Sequence, residues 1–232
     1  MQKVKVKFSS ICIVILIPLL VLYGVYIGDR NYALISVAFV ILAMTPFFSV
    51  FERRKPRARE VVPIAIMSSI AAVGRFAFAM LPHFKPVLAI VIVTGISFGP
   101  QAGFMTGALS ALISNFFFGQ GPWTPWQMFA FGIMGFLAGQ LNKVNFFKNK
   151  FALCSFGLIS GYLYGIIVNV WVLTGLGGNI TVQAILSTYI ASFPLDTIHA
   201  VSTVIFLYII GEPMLEKMVR VKKKYGLYRE VK

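Results

Sequence analysis

The run VLAIVIVTGISFGPQAGFMTGALSALISNFFF, residues 87–118, decides how this chain is threaded. It holds 32 residues, and as one helix it would be about 48 Å long, too long for a hydrocarbon core of ~30 Å. Gly99-Pro100 stands in its middle, and that pair breaks a helix: proline has no N–H to donate, and glycine accepts backbone angles other residues avoid. The run therefore reads as two short or tilted spans, 87–98 and 101–118, joined by a tight turn.

Charge supports that division. The clusters Lys3/Lys5/Lys7, Arg53–Arg59, Lys143–Lys150 and Lys217–Lys232 hold 18 of the 21 Lys and Arg residues. Further apolar runs lie at 8–27, 31–51, 61–81, 126–141, 151–174 and 182–211. With two crossings between 87 and 118 there are eight spans, and all four basic clusters fall on one side, which the positive-inside rule makes cytoplasmic. A single crossing would leave Lys143–Lys150 outside. Both termini are then cytoplasmic in a multi-pass protein of the cell membrane. The connections 28–30, 82–86, 119–125 and 175–181 lie on the outer face. The basic start followed by about 20 apolar residues reads as a retained span rather than a cleaved signal.

Composition agrees. The chain is 58% hydrophobic and 12% charged, about half the charge of a soluble domain. Its net charge of +14 follows the membrane and does not point to nucleic acid; lipid is the expected partner surface. The fold class is an all-α integral membrane protein. Residues 1–51 form an extension of two transmembrane helices, 52–60 a basic cytoplasmic linker, 61–211 a six-helix core and 212–232 a basic tail. That tail is lightly amphipathic and suits anionic headgroups. Cys12 and Cys154 lie in apolar segments and give neither a disulfide framework nor a metal site.

The outer stretch NFFFGQGPWTPWQ, residues 115–127, carries two of the three tryptophans, three phenylalanines and several amides. Its prolines and glycines fix the backbone. Such a surface is either a pocket wall for a small molecule or an aromatic belt at the membrane boundary. Ionisable residues inside spans usually face a cavity or a partner. Arg75 is one, and it either reaches an acidic ligand group or snorkels to headgroups. Asp196 and His199, three apart, share a helix face and read best as a structural pair or a contact to a helix end or partner. A zinc site normally needs three protein ligands, and the other histidine, His83, is in an outer connection. No metal and no cofactor is expected. There is no Walker-type phosphate loop, Gly-x-Ser-x-Gly or His-Glu-x-x-His, so the chain is not read as an enzyme or as its own ATPase. Small residues recur at spacing four, Ala65/Ser69 and Ser68/Ala72. Such faces let helices approach closely in lipid, within this chain or against another subunit.

From Arg57 to Lys143 the sequence resembles the substrate-binding S components of energy-coupling factor (ECF) vitamin transporters. The matching residues are Arg59-Glu60-Val61, Ala72-Val73-Gly74-Arg75, Gly99-Pro100-Gln101-Ala102-Gly103 and the 115–127 stretch through Met128. Phe193-Pro194-Leu195-Asp196-Thr197-Ile198-His199-Ala200 and the basic tail extend the likeness to about 60–230. The aromatic loop looks most like the branch that includes the cobalamin-specific component. The resemblance implies a six-helix core that binds its vitamin near the outer face, a transmembrane coupling subunit and two ATP-binding cassette ATPases. Trp123, Trp126 and Phe118 would then supply apolar contact, and Asn115, Gln120, Gln127 and Arg75 the oriented polar contacts. Phe78, His83, Phe84 and Trp171 complete the expected substrate-binding set. The face Ala65, Ser68, Ser69 and Ala72 would dock the coupling subunit; the family's usual Ala-x-x-x-Ala is Ala65-x-x-x-Ser69 here. The ligand is cobalamin or a related ring-containing vitamin, with riboflavin, folate and pantothenate as alternatives. An ion-coupled secondary transporter and an intramembrane metalloenzyme built on Asp196 and His199 are the competing functions.

Overall fold

A computed structural model describes residues 32–53, 56, 58–175 and 180–227. The expected span at 8–27, Cys12, the cluster Lys3/Lys5/Lys7 and the connection 28–30 lie outside the described residues. So do parts of the 52–60 linker, residues 176–179 of the connection 175–181 and the last residues of the tail.

All regular structure among the described residues is helical. The helices are α1 (Tyr32–Arg53), α2 (Ala58–Ala77), α3 (Val87–Phe98), α4 (Pro100–Phe118), α5 (Thr124–Lys143), α6 (Lys150–Gly175), α7 (Val182–Phe206) and α8 (Glu212–Tyr225), with a π-helical turn, Leu207–Gly211, between the last two. Ala58–Ala77, Lys150–Gly175 and the continuous run Val182–Tyr225 are long and apolar enough to cross a membrane. The chain is an all-α membrane protein.

The long run divides where its chemistry says it should. Gly99 alone separates α3 from α4, at φ 96° and ψ 173°, a region open essentially to glycine. Pro100 opens α4, where its missing N–H costs nothing. The two halves differ in kind, however. α3 has 12 residues, 11 of them buried, and is about 18 Å long. It is an interior helix walled by protein, short of a full lipid-facing crossing. Its last carbonyls are satisfied locally: Asn142 Nδ2 donates to Ile96 O at 3.0 Å, and Lys222 Nζ to Ser97 O at 3.1 Å. The second of these also sets a cation on the negative end of the helix dipole.

α3, α4 and α5 touch backbone to backbone. A Cβ added to Gly95 would meet the Gly135 carbonyl, one on Gly103 would meet Gly135 O and Gly95 Cα, one on Gly107 the Phe131 carbonyl, and one on Gly139 the Pro100 backbone. In lipid, apolar side chains gain little by leaving the solvent, so helix association depends on close van der Waals packing. α2 lies against α4 through Ser68, whose hydroxyl donates to Thr106 O at 3.4 Å. α6 and α7 form an antiparallel pair, with Gly161 against Ala200 and Gly165 against the Asp196 carboxylate. α1 packs on the α4–α5 side through Val40, Met44, Phe47 and Phe48, and Phe47 stacks on Phe104 with centroids 4.0 Å apart.

The tail helix does not lie free for lipid. Met214, Leu215, Met218 and Val221 of α8 pack against the main core. Glu212 pairs with Lys150 at 3.6 Å, and Arg59 Nη1 reaches Tyr225 O at 3.5 Å. α8 thus crosses the bundle end away from the α2–α3 and α4–α5 connections.

Gly135→Ala should lower stability in detergent by about 1–3 kcal/mol through overpacking. Gly99→Ala meets no atom within 4 Å yet should lose ~1–3 kcal/mol through strain alone. Thermal unfolding followed by size-exclusion chromatography checks both; an unchanged midpoint for Gly135→Ala would contradict the backbone contact.

Candidate functional site

Where the α2–α3 and α4–α5 connections meet, polar side chains from three helices join in one network. Arg75, in the last turn of α2, donates through Nη1 to Ser114 Oγ at 2.6 Å and Asn115 Oδ1 at 2.8 Å. Asn115 is 1% exposed, and its Nδ2 donates to Gln127 Oε1 at 2.9 Å and Thr124 Oγ1 at 3.0 Å. The Thr124 hydroxyl also accepts from Gly121 N and donates to Gln120 Oε1 at 3.0 Å. Gln120 Nε2 reaches back to Leu112 O at 2.8 Å. Buried polar groups of this kind must be paired, and the pairing fixes their orientation. Four expected site residues, Arg75, Asn115, Gln120 and Gln127, are therefore joined, with Ser114 and Thr124 as members the sequence reading did not name.

Phe118 forms the exposed rim of this network, with the Arg75 guanidinium 4.8 Å from its ring centroid. A second cation shares the ring: Lys85 Nζ is 5.7 Å from the centroid. Lys85 lies between α2 and α3 but is 9% exposed. Its Nζ donates to Phe78 O. Its backbone N donates to Ser202 Oγ at 3.4 Å, and Ser202 Oγ donates to Lys85 O at 3.3 Å. Burial lowers its ammonium pKa below the ordinary lysine value, and the Arg75 charge lowers it further. The sequence reading missed Lys85 because a lysine before a proline in a connection looks like a solvated turn. The available signal was that it stands, like Arg75, apart from the four basic clusters.

The other expected residues divide. Phe78 and Phe84 pack on Phe206, with centroids 5.2 and 5.4 Å away. Their connection rests against α7 through His199 and Ser202. The His83 side chain is exposed, and its backbone is left-handed at φ 57°. Desolvation lowers its pKa, with Lys85 and Arg75 adding and Asp196 opposing. Trp123 is 38% exposed and lies over Gly121. Trp126 points elsewhere: it is 6% exposed and packs with Val40, Met44, Phe104 and Ala108, where Trp171 also sits. Trp123, Trp126 and Phe118 therefore do not share one surface, because Trp126 faces α1 while the polar network faces α2.

Asp196 and His199 do not pair. The Asp196 carboxylate accepts from Ser192 Oγ at 2.8 Å and Asn169 Nδ2 at 3.3 Å. His199 Nδ1–H donates to His83 O at 3.1 Å, and its ring packs on Tyr164 at 4.8 Å between centroids. Among the described residues no three His, Cys, Asp or Glu side chains gather to hold a metal. The small-residue face divides as well. Ser68 and Ala72 are enclosed at 0% and 2% exposure and cannot meet another subunit, while Ala65 and Ser69 are exposed.

Residues 55–219 match the family model described as ECF-type riboflavin transporter, S component. UPF0397 proteins of Vibrio atlanticus (strain LGP32) and Aliivibrio fischeri (strain MJ11) are 31% and 30% identical over 87 residues. The aligned stretch is 35% of this chain and 47% of each relative, so the chain spans about half the length of the curated relatives it matches. No solved structure gives a significant match.

Asn115→Leu should destabilise the protein by about 1–3 kcal/mol, because it leaves partners on two neighbouring helices, Arg75 on α2 and Thr124 and Gln127 on α5, unsatisfied. Gln120→Ala, at an exposed position, should change stability by at most ~0.5 kcal/mol. Equal losses in a thermal melt would contradict the network's order of importance.

Proposed function

Because the chain belongs to the family of ECF-type transporter S components, we propose that it is the substrate-binding membrane subunit of an ATP-driven vitamin importer. The observation that carries this reading is the network Arg75–Asn115–Gln127–Thr124–Gln120. It sets oriented polar groups beside the exposed rings of Phe118 and Trp123, at the end of a rigid helical bundle. Small-molecule sites combine apolar wall with a few placed polar groups in this way. Cobalamin or a related ring-containing vitamin is the substrate we favour from the aromatic loop; riboflavin, folate and pantothenate are the alternatives. The protein is not an enzyme in this reading, and energy comes from two partner ATPases.

The distribution of basic residues supports cytoplasmic termini, with the network facing outward. The coupling subunit would dock on the exposed side of α2. Ala65 and Ser69 lie there among Val62, Ile66, Ile70 and Val73, all more than half exposed or nearly so, at 53, 52, 44 and 65%. Ser68 and Ala72 sit behind that face and set its distance from α4.

Reconstituted with a coupling subunit and ATPases, the chain should take up its vitamin only with ATP. Ala65→Trp should abolish co-purification of the coupling subunit while vitamin affinity is kept. Trp123→Ala should weaken binding by about 1 kcal/mol or more, the order of one aromatic contact. Trp126→Ala should instead lower the unfolding midpoint. Ion-gradient-driven uptake by the chain alone would sink the proposal, and unchanged affinity in Trp123→Ala would return that ring to the membrane boundary.

A further inference from the structure

We infer that the vitamin this site takes carries an oxyanion, a carboxylate or a phosphate, bound by Arg75 and Lys85, the two cations that share the Phe118 ring. This rests on the receptor reading above and narrows its substrate class. Eighteen of the 21 Lys and Arg residues fall in four clusters by the sequence positions given above. Of the three others, Arg30, Arg75 and Lys85, the last two are drawn to one aromatic ring.

Their protein partners are neutral. Arg75 bonds to a hydroxyl and an amide oxygen, both through Nη1, and its remaining donors have no partner among the described residues. Lys85 Nζ has a single backbone carbonyl where an ammonium can donate three bonds. Among the described residues the ion pairs are Lys150–Glu212 and Arg220–Glu216, both involving α8. The Asp196 carboxylate of α7 is held by Ser192 and Asn169. Two neighbouring cations, Lys85 buried and Arg75 half-buried, repel each other, and a nearby anion relieves that repulsion. A planar or tetrahedral oxyanion accepts from a guanidinium fork and an ammonium together. Phe118, the ring both cations approach, is 40% exposed at the bundle end.

A phospholipid headgroup offers the same chemistry, so the test must separate the two sources. The full chain, in detergent and in phosphatidylcholine nanodiscs, is titrated calorimetrically with the water-soluble vitamins. Matched pairs isolate the charge: pantothenate against pantothenol, biotin against biotin amide, and flavin mononucleotide against riboflavin. An acid should bind at least ~10-fold more tightly than its uncharged partner, the scale of one charged hydrogen bond. Lys85→Met and Arg75→Gln should each erase that preference. The wild-type pairs give an answer even where a variant fails to fold. Tight binding of an uncharged or cationic vitamin, unaffected by Lys85→Met, overturns the oxyanion and leaves the receptor reading standing. No binding of any water-soluble vitamin removes the receptor reading and this inference with it. One phospholipid retained per chain, lost in Lys85→Met and without acid preference among vitamins, assigns the cations to a headgroup and overturns the inference.

Discussion

The contact between the backbones of α3, α4 and α5 is the constraint on which the rest depends. At Gly95, Gly103, Gly107, Gly135 and Gly139 no Cβ fits. In water, burying leucines would hold three helices together at ordinary separations. In lipid that drive is nearly absent, and close packing of bare backbone replaces it. Once α4 and α5 are locked, Asn115 near the end of one lies opposite Thr124 and Gln127 at the start of the other. α2 then lies directly against α4 through Ser68 and Thr106, and this brings Arg75 to Ser114 and Asn115. The polar network is thus a downstream result of glycine placement.

The same packing gives the bundle two chemically different sides. Toward α1 it is aromatic and apolar: Phe104, Trp126, Phe47 and Phe48 interlock there. Toward α2 it is apolar along Ile64, Met67 and Ala71 and turns polar and cationic at the end, where Arg75 meets Ser114 and Asn115. One short aromatic stretch feeds both, because Trp123 and Trp126 straddle the start of α5 and leave it in different directions. An aromatic-rich loop is therefore not one functional unit.

Much of this was legible in the residues. The break at Gly99-Pro100 follows from backbone chemistry, and the helical class from composition. Arg75 stood out as an ionisable residue inside a span, and Asn115, Gln120 and Gln127 as polar groups of a pocket-like loop in a chain that resembles the family; that they bond to one another depends on packing between helices. What could not be read was which face of each helix meets protein. An apolar run looks alike whether it meets lipid or a neighbouring helix, so the enclosure of α3 was hidden. Small residues at spacing four look alike inside and outside, so Ser68 and Ala72 could not be told from Ala65 and Ser69. Asp196 and His199 share a helix face in the sequence, but their partners, Asn169 and the His83 carbonyl, come from other elements. Lys85 was overlooked because its burial depends on Ser202, more than a hundred residues away.

The single-residue turn at Gly99 has a mechanical meaning. A connection of that length has no slack, so α3 and α4 cannot slide past one another and must move as one lever. Lys222 of the tail helix grips Ser97, two residues from the pivot of that lever, while Asn115 rides near its far tip. The tail helix and the groups around Phe118 are thus attached to opposite ends of one tightly joined helical pair, with no long loop between them.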